Sequence, residues 1–508
     1  MKPREPISTG SESTSRRTLL RGAALGAVGL AAGLLAACGG QAQTAAPTAA
    51  SGAAAAPAPT AASAATTAPA AAAKPGATAT PDILAGVTVK AGAKAIDWWW
   101  PWGGMTGLQA LKALADDFNK THNDFQVKPL QVSDERQKLL AAIAGQTAPS
   151  VETGGTGVDF WLQGGAVPLD SYLGKSKIIN VNDLFDTNLA GGKIEGKTYG
   201  LPAVEAFLRW AMCFNKDLLT QHNLSTTDLP TDYDTLLQWA KEMTVTDASG
   251  AVKVLGFDPL DAEGAVWGGD PYYWGAAYDY KYYDVAKQQY IIDSDQMVET
   301  VTWIQKYVDI VGAEKRGGFA KSYGTWTESP TAMMPTGVEG FNINGYWAPG
   351  ELVKSAPGKN FVYGWVPVPT TRKGTKLACT GGHYAILPKG SPQPELGFQL
   401  IEYLQTETAM NIIFDTTGWL GASKSFLKKV DTSKYPGLDF YIKQPDQATA
   451  TWGPFFEPLP SFASDQFYKA VDQVTYHKLT PKDAMAQVQQ AVQTELKNQF
   501  PNGVKVKG

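Results

Sequence analysis

Four tryptophans stand within five positions, at Trp98, Trp99, Trp100 and Trp102, and a second aromatic run, residues 267–274, carries a single acid, Asp270. These side chains suit holding a molecule more than cutting one. An indole or phenol offers a broad apolar face with one polar atom at its edge, and a carboxylate offers two acceptor oxygens. Together they match a polyhydroxylated ring, whose C–H faces stack and whose hydroxyls need directional partners. The chain has 15 Trp and 20 Tyr, more rings than a single cleft can hold, so many must be core. His122, His222, His383 and His477 are far apart and in no metal-ligand spacing. No catalytic signature accompanies them, so the expectation is a binding protein, not an enzyme, with no metal and no cofactor.

The elements that must position these residues follow from periodicity. Residues 95–102 read as a strand running into a loop, with Trp98 and Trp100 on one face and Trp99 on the other. A helix follows, with Leu108, Leu111, Ala115 and Phe118 on one side. Next come a strand over 126–132 and a helix capped by Ser133 that buries Leu139, Leu140 and Ile143. Strand and helix in alternation point to an α/β sheet with parallel pairing. Further on, Thr231 with Asp234 reads as a capping box, Ser294 as an N-cap, and Thr480-Pro481 as a capped start with proline in the first turn. The stretch 267–274 reads as a loop.

The N-terminal region is of another kind. Ser15-Arg16-Arg17-Thr18-Leu19-Leu20 is a twin-arginine pattern, followed by a Gly/Ala/Leu stretch that ends Leu35-Ala36-Ala37-Cys38-Gly39. Small residues before a cysteine suit a signal peptidase, and the thiol accepts diacylglycerol, so residues 1–37 are expected to be removed and Cys38 lipidated. Two acyl chains suffice for stable attachment. Residues 38–82 then form a tether of Ala, Thr, Pro, Ser and Gly, without the large apolar residues that would offset ordering entropy. Lys2, Arg4, Arg16, Arg17 and Arg21 against Glu5 and Glu12 give the leader a net +3, so its loss takes the formal −4 to −7. A mildly acidic body with no basic run argues against a nucleic-acid partner. Cys213 and Cys379 remain, either as a disulfide or as two buried thiols.

Several segments, in order, resemble the family 1 extracellular solute-binding proteins of ABC importers, the maltose-binding type. Residues 141–150 are similar to the family's alanine-rich helix end, with Ser150 where Asp is usual. Residues 165–170 are similar to its Gly-x-x-x-Leu-Asp, and 196–202 to its Gly-Lys-x-Tyr-Gly-Leu-Pro turn. Ile343-Asn344-Gly345-Tyr346-Trp347-Ala348 resembles Ile-Asn-Gly-x-Trp-Ala. Residues 381–386 resemble a return crossing between lobes, 390–404 a Gly-Ser-led helix, and 417–422 a Thr-Gly-x-Leu-Pro loop with Gly421 in place of Pro.

The resemblance implies an α/β, two-lobe periplasmic-binding-protein fold of class II type, hinged by two or three crossing segments with the ligand between the lobes. The implied division is 83–205 and 381–430 for the first lobe, 206–380 and 431–508 for the second. It places Trp100 and Trp102 at the first ligand loop and Gly154 and Thr156 at the second. Glu205 falls on the hinge, facing hydroxyls, and Trp347 becomes the stacking ring of the second lobe. Gly382 and His383 fall on the return crossing, Trp419 on a nearby loop, and Asp270 and Trp274 within reach of the cleft. The expected function is capture of a small solute, a mono- or oligosaccharide, by hinge closure, with delivery to ABC permease subunits. The expected form is a monomer, lipid-anchored on the outer face of the cytoplasmic membrane. A polyamine, held by aromatic faces and acids, is the main alternative ligand, and glycerol phosphate another. A cell-surface glycoside hydrolase with two carboxylates flanking the scissile bond is a more distant reading, as is an adhesive lipoprotein.

Overall fold

The computed structural model describes residues 83–506 except 133–134, 155–156, 209, 262–270, 382 and 454. The leader, Cys38, the tether, the Ser133 cap, Thr156, Asp270 and Gly382 therefore lie outside the described residues.

Two five-stranded sheets define two lobes. In the first, β1 (Lys94–Trp100) lies between β2 (Phe125–Gln131) and β3 (Val151–Gly154), parallel to both. Then β11 (Tyr384–Ile386) and β4 (Gly200–Pro202) complete the order β2-β1-β3-β11-β4, with β11 antiparallel to its neighbours. Ile96, Trp98 and Trp100 are buried along one face of β1, as the alternation predicts. Helix α1 (Met105–Thr121) buries Leu111, Ala115 and Phe118, with Leu108 half-buried at the border. Helix α2 (Glu135–Ala144) buries Leu139, whereas Leu140 and Ile143, expected to be buried with it, are only half-buried.

The second sheet runs β9-β5-β8-β7-β6. Its strands are β5 (Ala211–Asn215), β6 (Val245–Thr246), β7 (Val252–Phe257), β8 (Glu339–Asn344) and β9 (Phe361–Gly364). Every residue of β5 and of β8 is buried, which marks them as the centre of that lobe. Around it, α3 (Tyr233–Met243) begins at Asp232, whose carboxylate accepts from Thr235 N–H at 2.9 Å. The capping box expected at Thr231 and Asp234 is thus corrected to an Asp232 cap; Asp232 also pairs with Lys373 at 2.9 Å. Ser294 caps α4 (Asp295–Val308) as expected, and its Met297, Val301, Ile304 and Val308 stripe is buried. The helix over Pro271–Tyr278 corrects the loop expected up to position 274.

Further along are α5 (Ala348–Ser355) in the second lobe, then α6 (Pro394–Leu404) and α7 (Glu407–Thr417), of which α7 packs on α1 in the first lobe. The last two helices, α8 (Pro460–Thr475) and α9 (Pro481–Gln499, capped by Thr480), pack against α4, so the chain ends in the second lobe. The chain crosses between the lobes three times. Two crossings are tied together where β10 (Leu377–Cys379) pairs with β12 (Ala450–Trp452). The fully buried Asn188 side chain donates to the carbonyls of Ala206, Phe207 and Gly381 at 3.1–3.2 Å, joining the first and second crossings. Cys213 in β5 and Cys379 in β10 are both buried and form no disulfide, so of the two alternatives the structure shows buried thiols. No helix among the described residues is long and apolar enough to cross a membrane.

Candidate ligand-binding cleft

Between the lobes lies a cavity of about 460 Å³, within the usual range for small-molecule sites. Its first-lobe wall is Trp102, in the loop after β1, and Trp419, in the loop after α7. The hinge contributes Glu205 and His383. The second lobe contributes Trp326, Glu328, Tyr346 and Trp347. Four indoles therefore reach one space from opposite sides.

Local sequence explains how each side chain is held. Gly345 lets the Trp347 indole fold back over its own backbone, because a Cβ there would enter the indole ring. The Trp347 ring stacks on Trp326 with centroids 5.9 Å apart and planes at 17°. Trp326 itself sits on the loop after residue 320, pinned from below. Fully buried Asn344 donates to Thr327 Oγ1 at 3.0 Å, and Ser355 Oγ donates to the Thr327 carbonyl at 2.7 Å. The Tyr346 hydroxyl donates to the Glu205 carbonyl, which fixes the hinge against the second lobe.

Glu205 is 4% exposed. Its Oε1 accepts from Trp102 Nε1 at 3.4 Å and lies 3.9 Å from His383 Nδ1. Its Oε2 has no partner among the described residues. Burial pushes the Glu205 carboxyl up to about 7, only partly offset by its own backbone N–H and by the Trp102 indole. Such a buried, half-satisfied acceptor is costly unless a ligand hydroxyl or amine completes it. A second buried acid, Glu351, lies behind the wall. Its Oε1 accepts from Trp326 Nε1 at 3.1 Å and from Trp419 Nε1 at 3.3 Å. Burial, reinforced by the nearby Glu328 charge, pushes Glu351 up to about 8. No group of three or more His, Cys, Asp or Glu side chains among the described residues is arranged to hold a metal.

The candidates read from sequence separate into groups. Trp102, Glu205, Trp347, His383 and Trp419 meet at the cavity. Trp100 does not. It is 1% exposed and stacks behind Trp419 at 6.5 Å, so it supports the wall from the core; the pleat that buries Trp98 also buries Trp100. Gly154 is buried at the end of β3, and its openness serves the protein itself. A Cβ there would lie 2.7 Å from Pro101 Cδ, at a φ of +152°. Gly154→Ala is therefore expected to cost about 1–3 kcal/mol through overpacking and backbone strain, read as a lowered midpoint in denaturant unfolding. Trp274 lies on the helix Pro271–Tyr278. Trp326, Glu328 and Glu351 were not foreseen. The one visible signal was a lone tryptophan in the Ser/Thr/Gly-rich stretch 322–331, a loop composition with one large ring.

The sequence model of the bacterial extracellular solute-binding proteins matches residues 102–411 of the chain. This chain belongs to that family. The match begins at Trp102, on the cavity wall. No sequence among curated proteins matches this solute-binding protein. Its fold is similar to that of several solved structures. CpMnBP1 with mannotriose bound superposes with a TM-score of 0.70 at 24% identity, covering 78% of this chain and 99% of that one. An ABC substrate-binding protein from Listeria monocytogenes in complex with cycloalternan gives 0.65 at 19%, covering 80% and 99%. The maltose/maltodextrin-binding domain MalE from Bdellovibrio bacteriovorus bound to maltotriose gives 0.64 at 17%, covering 79% and 100%. The two-lobe α/β architecture is thus shared across the full length of these proteins.

Proposed function

We propose that this solute-binding protein captures a saccharide by closing its two lobes over it and delivers it to an ABC importer. The observation that carries this reading is the pairing of indoles from both lobes with the half-satisfied Glu205 carboxylate in one cavity. Rings stack on the C–H faces of a sugar, and the Oε2 atom accepts a hydrogen bond from a hydroxyl. The structural relatives that carry sugars support the same reading. Binding proceeds by differential affinity for the closed state, with no bond chemistry. A full shift of the lobes from 1:99 to 99:1 closed sets the upper bound, about 5.5 kcal/mol of such preference, within reach of a few stacked rings and charged hydrogen bonds at about 1.5–3 kcal/mol each.

The reading includes export by the twin-arginine segment, removal of residues 1–37, lipidation of Cys38 and a tether over 38–82, which together hold a monomer at the outer face of the membrane. The lobe boundaries proposed from sequence, 83–205 with 381–430 and 206–380 with 431–508, belong to it as well. A polyamine is the second reading, favoured by the two carboxylates on the wall, Glu205 and Glu328.

A thermal-shift screen of the purified protein tests both. The panel is mannobiose, mannotriose, maltotriose, glucose, putrescine, spermidine and glycerol 3-phosphate. A saccharide at 100 times its Kd is expected to add about 2.7 kcal/mol of apparent stability. A response to spermidine alone replaces the saccharide with the polyamine, and release of reducing ends from the trisaccharides would overturn a pure binding role.

A further inference from the structure

We propose that Glu351 and Glu328 form a clasp that closes the cleft and positions the two tryptophans at its wall, so that the stacking surface is assembled by closure and carried complete by neither lobe. The inference goes beyond the saccharide reading and does not depend on which ligand is bound.

Glu351 sits on α5 of the second lobe and is 1% exposed. It holds one indole from each side. Trp326 belongs to its own lobe, whereas Trp419 follows α7 and packs on Gly107 of α1 in the first lobe. The neighbouring Gly350 is pressed so tightly on Thr417 and Gly418 that a Cβ would reach within 2.9 Å of the Gly418 Cα. One turn further along α5, Lys354 donates to the Thr416 carbonyl. Helix α5 therefore seats on the end of α7 across the cleft.

Glu328 makes the second contact. Helix α1 begins at Gly104, which supplies no side-chain cap, and the first turn would leave its N–H groups unpaired. Glu328 Oε1, from the opposite lobe, accepts from Thr106 N–H at 2.7 Å. A Cβ on Gly104 would collide with that carboxylate, so glycine keeps the approach open. The start of a first-lobe helix is finished by a second-lobe residue, a contact that exists only when the lobes are together.

The charges around Glu351 agree with a contact made for the closed form. Glu328 faces it as a like charge and Lys354 as an opposite one; burial dominates, and Glu351 is pushed up to about 8. Opening returns the carboxyl to water, where ionisation is favoured, so the Glu351 clasp is tightest in acid and loosens as pH rises toward 8. Glu205, also buried at the cavity, titrates in the same direction, and Glu351→Gln separates the two contributions.

The experiment uses the ligand-free full chain and follows amide exchange by mass spectrometry, with small-angle scattering alongside. In Glu351→Ala and Glu328→Ala, exchange is expected to rise at least tenfold in segments 104–110, 324–332 and 414–420, with a larger radius of gyration, while strands β1, β5 and β8 keep wild-type protection. Glu351→Gln keeps an acceptor and stays near wild type, with a flatter pH dependence of closure. Trp419→Phe keeps the ring but loses the N–H, so it should open partway; this variant and Glu328→Ala decide the matter if Glu351→Ala fails to fold. Wild-type exchange in all three segments of the folded variants would overturn the clasp, and so would a rise spread evenly over the core strands. Because closure is read without ligand, the clasp can fail while saccharides still bind, and it can hold while none does. Glu351→Ala is further expected to weaken the best-binding panel compound at least tenfold, with Gln restoring it; equal loss in both variants would also count against a positioning role.

Discussion

Trp347→Ala is expected to remove most of the ligand affinity, about 30-fold or more, and to leave the fold intact. The ring lies at the cavity, 7% exposed, stacked on Trp326 and edge-on to Tyr346 at 5.5 Å. Its loss takes away a stacking face and frees Trp326, which it braces, so binding loses area and preorganisation together. Central buried tryptophans of this kind typically account for 2 kcal/mol or more of binding, roughly 30-fold at the least. Stability falls less than for a core tryptophan, because one side of the ring already faces a cavity. Titration calorimetry with the strongest panel ligand measures the first effect and a denaturant melt the second. Trp347→Phe should fall between the two. Wild-type affinity in a folded alanine variant would remove Trp347 from the site.

Glu205→Gln is expected to stabilise the ligand-free protein in alkali and weaken it as a receptor. The folded carboxyl titrates near 7 against an ordinary value of 4.5, so the native state holds a proton that the unfolded chain releases between those values. The wild type therefore loses stability as pH rises from about 4.5 to 7, and the loss levels off above 7. The total reaches about 3 kcal/mol at most, from 1.36 kcal/mol per unit. Glutamine stays neutral at every pH. The variant should match wild type near pH 4 and exceed it near pH 8, and taking the difference cancels the parallel contribution of Glu351. The amide still accepts from Trp102 but no longer offers a charged acceptor to the ligand, which costs about 1.5–3 kcal/mol of binding, roughly 10- to 150-fold. A gain in stability at pH 8 with a loss of affinity is the expected signature. A pH-independent difference would place Glu205 outside the desolvated site.

The two variants mark where the sequence was informative. Trp347 and Glu205 were legible because each sits in a local frame that dictates its own geometry. Asn344 and Gly345 shape the turn that lays the indole down, and Glu205 follows the Gly-Lys-x-Tyr-Gly-Leu-Pro turn into the first crossing. Trp102 and Trp419 were legible as rings on loops just past an element end. Trp100 misled because it lies two residues from Trp102 but still within the pleated strand, where its direction is fixed toward the core. Gly154 misled because an open backbone looks the same in sequence whether a ligand or Pro101 fills the space.

Beyond the two lobes implied by the family resemblance, the sequence by itself determined the opening alternation of strands and helices, several helix starts, and the loops on which most of the candidate rings sit. These are local properties, set by side-chain period and capping within a few residues. Tertiary structure alone decided the rest. It put Trp326 opposite Trp419, brought Glu351 between their indoles and set Glu328 on the start of α1. Residues 328 and 106, like 351 and 419, are far apart along the chain, and only the docking of the lobes makes them neighbours. It raised the titration of the buried acids as well, because the burial that pushes Glu205 and Glu351 up comes from residues distant in the chain that only the fold brings together.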